Sequence, residues 1–190
     1  MKKVVLAVLL GFVLCTAGVF AEHPGGWGIG IMGRGGYGWG SGGLGGAALS
    51  LKAPKVPVFW GVNLGLYSNY FGVGVTGDYY FIDHMIIPDI GLGWFFGAGG
   101  FFNFGSYNSG YDYNKWTTVS FGARLPIGLS WQFFRNSKIG FEIFGDVVPS
   151  LGLALRFWDS KYDSYQNAAG NNRLGVGGGF DFELGLRIWF

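Results

Sequence analysis

Charged residues are scarce in this chain. Lys, Arg, Asp and Glu make up 13% of its 190 residues, about half the share of a typical globular domain. Aromatic residues reach 19% and glycines number 38, both well above ordinary usage. With only 6 prolines and no three-residue glycine period, the chain is not collagen-like, and its many apolar residues argue against disorder. The composition is that of an ordered chain in an apolar setting.

Residues that carry chemistry are equally scarce. Cys15 is the only cysteine, and His23 and His84 are the only histidines. Two histidines without cysteine support are a weak metal signal, and no nucleophile elbow, zinc-protease motif or lysine-containing phosphate loop occurs. A glycine pattern at 28–33 resembles a dinucleotide fingerprint, but no nearby acidic residue or helix follows it. We therefore predict no catalytic residue, metal site, cofactor or enzyme activity, and a membrane enzyme acting through His84 is the least favoured alternative.

The N-terminal segment predicts a signal peptide. The chain begins with two lysines at positions 2 and 3, followed by an apolar run at 4–13 and a small-residue cleavage site at 19–21. This is the pattern of a secretory signal rather than of a membrane span. We expect residues 1–21 to be removed, leaving one domain at 22–190; an uncleaved anchor is the alternative. Without its two lysines the 13 basic residues become 11, equal to the 11 acidic ones. No basic patch is left to suggest a nucleic-acid partner.

Two uncharged stretches, 56–77 and 90–111, are long enough to cross a bilayer as helices. Their periodicity argues against that, because apolar residues alternate with glycine or polar residues at a period of two. In the first stretch Trp60, Val62 and Leu64 alternate with Gly61, Asn63 and Gly65. Each such glycine would destabilise a helix by about 1 kcal/mol relative to alanine. The pattern favours strands.

Eight strands are predicted along the chain, at roughly 26–34, 44–52, 57–67, 71–81, 90–102, 116–133, 139–156 and 174–190. An even number places both termini on one side, with short turns there and longer loops on the other. The expected fold is all-β: an eight-stranded antiparallel up-and-down transmembrane β-barrel, preceded by a signal peptide.

The charged residues of these strands share one face. If the apolar set of each strand faces lipid, the opposite set contains Arg34, Lys52, Asp78, Arg124, Glu142, Asp146, Arg156, Asp181, Glu183 and Arg187. Eight strands enclose an interior only just wide enough for side chains, so this balanced set predicts a salt-bridge network rather than an ion pathway. We expect Arg124, Glu142, Glu183 and Arg187 at its centre.

Inward-facing glycines leave two alternatives for the interior. They make room for aromatic rings, or they leave a continuous void. The rings in question are Phe59, Tyr67, Tyr80, Phe95 and Phe144.

Pro126 and Pro149 conflict with regular strands, because proline cannot donate a hydrogen bond to the ladder. With the intervening turn centred near Asn136, Pro126 falls opposite about Val147 and Pro149 opposite about Arg124. We expect a shared β-bulge that kinks both strands at this height.

The segments 103–116 and 157–173 are predicted external loops. They are rich in Tyr, Ser, Gly and Asn, which supply contact area and adaptable hydrogen bonds in binding loops. An ordinary surface loop with aromatic residues at its roots is the alternative. The candidate binding residues are Tyr107, Tyr111, Tyr113, Trp116, Trp158, Tyr162 and Tyr165.

The last ten residues form an alternating strand that ends on an aromatic residue. Phe182, Leu184, Leu186, Ile188 and Phe190 alternate with a second set that includes Asp181, Glu183 and Arg187. The spacing of Glu183, Gly185, Ile188 and Phe190 resembles the C-terminal assembly signal of bacterial outer-membrane β-barrels. With the signal peptide and the alternating strands, the mature chain resembles the small eight-stranded barrels of the OmpA, OmpX and OmpW type, including uncharacterised barrels of spirochaetes.

This resemblance implies a location, partners and a range of functions. The location is the outer membrane, and the partners are its lipid and the barrel-assembly machinery. The implied functions are a structural role or a small passive channel for small or hydrophobic solutes. The alternative is a surface adhesin or receptor that binds a host or other extracellular ligand through the two loops.

Overall fold

The computed structural model describes residues 23–38, 46–67, 70–108, 115–158 and 173–190. In these ranges the chain forms nine antiparallel strands and one 3-10 turn, Pro88–Ile90, and no helix there is long and apolar enough to cross a membrane. The strands are β1 Gly28–Gly38, β2 Gly46–Lys52, β3 Phe59–Tyr67, β4 Tyr70–Ile87, β5 Leu92–Asn108, β6 Lys115–Arg124, β7 Ile127–Phe133, β8 Gly140–Trp158 and β9 Arg173–Trp189.

The nine strands make a closed ring with eight positions. Strands β1 to β5 pair in chain order, β9 pairs with both β8 and β1, and β6 and β7 lie end to end between β5 and β8. The prediction of an all-β antiparallel fold is therefore confirmed, with eight strand positions and the first and last strands closing the ring.

The ring is strongly staggered. The paired residues around it run Gly28, Lys52, Phe59, Asp78, Gly99, Arg124, Ser150, Gly179 and Gly38, so one circuit returns to β1 ten residues further along. For eight strands this stagger corresponds to a tilt of about 40°. Side chains that point inward therefore fill a narrow interior from all sides.

The predicted strand 116–133 is broken at Leu125–Pro126, but the expected β-bulge is wrong. Arg124 pairs with Ser150 and Ile127 with Val147, so the two residues between these pairs on one strand match two on the other. The ladder keeps its register because a proline lacks only its own donor. The Leu125 N–H donates to the Pro149 carbonyl (2.9 Å), and the Gly97 N–H donates to the Pro126 carbonyl (2.9 Å).

Irregular pairing occurs instead on β4, which extends beyond the predicted end at residue 81. Its register with β5 shifts between Tyr80 and Ile82 and again between Met85 and Ile87. The extra residue Phe81 reverses the alternation, so Asp83 is buried while its neighbours on either side are not. The connection left between the predicted strands 71–81 and 90–102 is therefore strand at residues 82–87, and the prediction is wrong there because a period of two cannot be followed through a bulge.

The strands also continue further toward the loops than predicted. Strand β5 extends to Asn108, and Tyr107 pairs with Trp116 at the start of β6. The segments 103–108 and 115–116 are thus strand rather than loop, as are 157–158 and 173. The predicted strands stop at the first polar side chains, which is too early. Polar side chains do not interrupt a strand, because the ladder hydrogen bonds join backbone groups only.

The ring has two different ends. The terminus end carries the connections 53–58, 88–91 and 134–139 together with residues 23–27 and Phe190. The loop end is the opposite one, where β1, β3, β5 and β8 finish. At the terminus end Trp27 and Phe190 exchange two backbone hydrogen bonds (3.2 and 2.9 Å), which extend the β1–β9 seam by one residue pair.

Candidate functional site

The charged residues of the strands lie inside the ring. Of the ten predicted inward charges, nine are buried, and Arg156 is half-buried with its guanidinium 5.5 Å from the Trp116 ring. The buried nine are Arg34, Lys52, Asp78, Arg124, Glu142, Asp146, Asp181, Glu183 and Arg187. Their strands place them at alternate positions, so the opposite face is left to apolar side chains.

Four of these residues form what we call the Glu183 cluster: Arg34, Asp78, Arg124 and Glu183. Glu183 Oε1 lies 2.7 Å from Arg34 Nη2 and 2.9 Å from Arg124 Nη2. Arg124 Nε lies 3.0 Å from Asp78 Oδ1, at ion-pair distance. The cluster joins β1, β4, β6 and β9, strands on opposite sides of the ring.

Nearer the terminus end lies the Glu142 cluster: His23, Asp83, Glu142, Arg187 and Trp189. Glu142 Oε2 accepts hydrogen bonds from Arg187 Nη1 (2.8 Å) and Trp189 Nε1 (2.8 Å). Glu142 Oε1 lies 2.8 Å from His23 Nε2, and Asp83 Oδ2 lies 2.7 Å from His23 Nδ1. The predicted network is thus two clusters, with Glu183–Arg124 in one and Glu142–Arg187 in the other.

His23 had no structural role in the sequence prediction, yet its side chain is buried inside the ring. Its backbone N–H donates to Asp83 Oδ2 at 3.0 Å. Burial by itself lowers the pKa of His23, but the charges and hydrogen bonds of Glu142 and Asp83 outweigh it and raise the pKa to about 9. His23 is therefore a cation at neutral pH and anchors the arm 23–27 to β4 and β8.

The charge balance of the interior accounts for His23 only once the structure has shown the bulge on β4. The predicted interior held five cations and five anions, and the bulge on β4 adds a sixth anion, Asp83. A sixth cation was needed to balance it, and no remaining strand residue with a described side chain supplies one. Alternation could not have placed His23, since the arm is not a strand.

Aromatic rings fill the space around the Glu142 cluster. Phe59, Tyr80 and Phe95 stack in a row with centroid separations of 4.2 and 4.4 Å. The Arg187 guanidinium lies 4.2 Å from the centroid of Phe144 and 4.8 Å from that of Phe59, which places a buried cation on ring faces.

Inward glycines make room for these rings. A Cβ on Gly185 would overlap the Phe144 ring, one on Gly128 would approach Phe95 to 2.5 Å, and one on Gly97 would approach Tyr80 to 2.8 Å. A gap of about 10 Å³ lined by Met32, Ser50 and Arg187 lies between the clusters, at the lower limit for a single water. For this half of the interior, the glycines thus serve ring packing rather than a wide void; the Tyr67 side chain lies outside the described part.

Two of the predicted site residues, Asp146 and Asp181, lie outside the two clusters. Asp146 and Asp181 are buried on the inward face, and Asp146 makes no hydrogen bond or ion pair with the described residues. Within the described ranges no three His, Cys, Asp or Glu residues converge to hold a metal ion. Of the proposed C-terminal signal, Glu183 and Gly185 face inward, Ile188 is half-buried, and Phe190 is exposed.

Part of the predicted loop site can be placed. Trp116 and Trp158 are paired across β6 and β8, and Tyr107 lies in β5 opposite Trp116. The candidates Tyr111, Tyr113, Tyr162 and Tyr165 lie outside the described residues, as does the predicted signal peptide 1–21.

A cavity of about 660 Å³ opens at the terminus end, and we call it the terminus-end cavity. It lies between the 3-10 turn, the β7–β8 connection and the arm, and its walls include Pro24, Asp89, Ile90, Gln132, Arg135 and Ser137. A smaller cavity of about 190 Å³ shares Gln132 and Arg135 and adds Lys138. Neither cavity could be predicted from the sequence, because segments far apart along the chain build their walls.

The fold and its charged interior define a class: a closed, antiparallel β-ring that is polar inside and apolar outside. Residues 55–171 match a family described as "Protein of unknown function (DUF3996)", and the chain belongs to that family. The matched region runs from the connection before β3 through β8 and so includes Asp78, Arg124 and Glu142. No curated protein and no solved structure matches the chain.

Proposed function

We propose that this protein is an integral outer-membrane β-barrel whose interior is closed, so that its role is structural rather than that of an open pore. The observation that carries the proposal is the reversed distribution of polarity. Among strand residues with described side chains, no outward position carries Asp, Glu, Lys or Arg, whereas the inward positions carry ten such residues that were predicted from sequence and Asp83.

The exposed apolar surface supports a lipid environment. On β9 alone, Leu174, Val176, Phe180, Phe182 and Leu184 are all more than half exposed. Soluble monomers rarely expose apolar patches beyond a few hundred Å², and this face continues around the ring. At the terminus end Trp27, Trp60, Trp131 and Phe190 are exposed, as expected for an aromatic girdle at a membrane interface.

The two clusters support a closed interior. An ion crossing the ring would have to separate pairs held at 2.7–3.0 Å between buried groups, and breaking such pairs is costly. The stacked rings of Phe59, Tyr80 and Phe95 obstruct the interior next to the Glu142 cluster. In planar bilayers we expect no steady single-channel openings, and regular openings would contradict closure.

Membrane insertion is tested by placing a charge on the outward face. Leu184 is 67% exposed and lies five residues before the end of β9, near the centre of a membrane span of about 10 residues that begins at the terminus-end girdle. If it faces lipid, Leu184→Arg lowers the free energy of unfolding in vesicles by about 2–4 kcal/mol, whereas on a water-facing surface the change stays within about 0.5 kcal/mol.

Phe134→Arg is the matched control, because Phe134 is 69% exposed but lies in the β7–β8 connection. It should change stability by no more than about 1 kcal/mol, the cost near an interface. Equal, small effects of the two substitutions in urea titrations of vesicle-bound protein would contradict a membrane-spanning ring.

A further inference from the structure

His23 occupies a cage that is built by the strands of the ring and not by its own arm. Asp83 Oδ2 lies 2.7 Å from His23 Nδ1, and Glu142 Oε1 lies 2.8 Å from His23 Nε2. The two carboxylates come from β4 and β8 and contact the two nitrogens of one imidazole. This arrangement suits a flat cation that donates an N–H group from each of two edges.

Aromatic rings form the sides of this cage. Their centroids lie between 5.1 and 6.1 Å from that of the imidazole, close to the distance at which a ring attracts a cation. The four rings are Phe59, Tyr80, Phe95 and Trp189, which come from β3, β4, β5 and β9. We call these rings and the carboxylates of Asp83 and Glu142 the cation cage. Aromatic cages are one way in which proteins bind organic cations.

The other cations on this side of the interior do not take the position of His23. Arg187 Nη1 donates to Glu142 Oε2, the oxygen that does not contact His23, and its Nε and Nη2 donate to Ser50 Oγ (3.1 and 2.9 Å). Lys52 Nζ donates to the next backbone carbonyl at 3.0 Å. An empty cage would therefore leave two buried carboxylates without the cation that lies between them, which is costly.

The cation cage has an entrance at the terminus end. The side chain of His23 is 2% exposed, but the next residue, Pro24, lines both the terminus-end cavity and the smaller cavity beside it. His23 therefore reaches the cage from an open space. The arm joins the β1–β9 seam only at Trp27, which pairs with Phe190, so withdrawal of residues 23–25 breaks no hydrogen bond of the strand ladder.

We propose that the cation cage is a binding site for small, flat organic cations of the imidazolium type, and that His23 fills it as a tethered ligand. Once the arm withdraws, a free cation of this shape donates to the same two carboxylate oxygens and packs against the same rings. A neutral ring of equal size lacks the charge, and a compact alkylammonium lacks the flat shape. The proposal goes beyond the structural role proposed above and does not depend on whether the ring spans a membrane.

The probe is imidazole, which is the histidine ring without its backbone. His23→Gly empties the cage and keeps the arm, and this variant is titrated in detergent at about pH 6, where imidazole is largely protonated. We expect a dissociation constant of about 1 mM, which is within reach of so small a ligand. At about a hundredfold excess over that constant, imidazole should raise the urea midpoint by about 1 M. The wild-type midpoint should not change, because His23 already fills the cage.

The same titration has a second measurement that does not require the empty variant to fold by itself. The fraction of His23→Gly that refolds is read from gel mobility without heating, with and without imidazole. If the variant needs a cation in the cage in order to fold, imidazole should raise this fraction. The dependence on imidazole concentration then gives the affinity.

Matched probes and variants separate the cage from general effects of imidazole. Pyrazole is a neutral ring of the same size and methylammonium is a compact cation, and each should bind at least tenfold more weakly. His84→Gly removes the other histidine, which is exposed and adjacent to Asp83, and imidazole should not stabilise it. His23→Gly/Asp83→Asn removes one of the two carboxylates and should bind imidazole at least tenfold more weakly than His23→Gly.

Four outcomes would overturn the proposal: no gain in stability or refolding with imidazole, an equal gain with pyrazole, an equal gain in His84→Gly, or an unchanged affinity when Asp83 is also replaced. Its failure is distinguishable from failure of the membrane proposal. A chain that inserts into vesicles but whose His23→Gly variant binds no imidazole contradicts only the cage. Binding of imidazole by a chain that does not insert contradicts only the membrane location.

Discussion

Neutralising Glu142 should destabilise the protein far more than neutralising a neighbouring carboxylate on the same strand. Glu142 is 0% exposed and contacts Arg187, His23 and Trp189. Glu142→Gln keeps the shape but removes the charge, which leaves buried Arg187 without its counter-ion and His23 with Asp83 alone. Breaking a buried pair in this way costs about 3–5 kcal/mol.

The matched control is Asp146→Asn, four residues further along the inward face of β8. Asp146 is also buried, but no ion pair or hydrogen bond links it to the described residues. Removing its charge breaks no direct contact. The lost attraction to Arg124 and Arg34 is offset by relief of the repulsion from Glu183 and of the cost of burying a charge, so we expect a net loss of no more than about 1 kcal/mol, the size of one modest interaction. Both substitutions are isosteric, so the comparison isolates the partners of the carboxylate.

The measurement is urea unfolding of the protein in vesicles, followed by tryptophan fluorescence and by gel mobility without heating. With a slope of about 2 kcal/mol per molar urea, Glu142→Gln should lower the midpoint by about 2 M. Similar urea midpoints for the two variants would refute the assignment of Glu142 as the centre of the Glu142 cluster.

Two further predictions concern His23 and Gly185. The pKa of His23 is raised from 6.5 unfolded to about 9 folded, so its stabilisation of about 3 kcal/mol is complete below pH 6.5 and is lost as the pH rises through 9. His23→Ala should abolish the corresponding loss of unfolding free energy between pH 6 and 9.5, and an unchanged pH dependence would show that His23 is not the group responsible. Gly185→Ala should lower the free energy of unfolding by about 1–3 kcal/mol because its Cβ overlaps the Phe144 ring. Gly145→Ala, where the nearest atoms are 3.5 Å away, should be tolerated, and equal losses would mean that ring packing is not the cause.

Alternation along the strands was enough to predict the sheet and to sort its residues into two faces. Arg34, Glu142 and Arg187 occupy inward positions because a period of two leaves no other choice within a regular strand. The same rule missed Asp83, since one extra residue at Phe81 reverses the faces without leaving a mark in the sequence.

Other features depend on contacts between distant parts of the chain. Nothing near His23 in the sequence indicates that it meets Glu142, 119 residues away. The division of the charges into two clusters depends on the ring's stagger, which pairing alone determines. Pro126 was overinterpreted for a related reason: neighbouring donors and the closed ring hold the register, so a missing N–H interrupts the strand without shifting it.

The closing seam between β1 and β9 has a consequence for folding. Gly28 pairs with Trp189, so β1 cannot complete its pairing until β9 has been synthesised. Contacts of such long sequence separation slow folding. Until then both strands have unpaired edges, which invite pairing with other chains. Asp83 and Glu142 are brought to opposite sides of His23 only once the ring is closed. The arm 23–27 therefore binds at a late stage of folding, and it stabilises only chains whose ring is already closed.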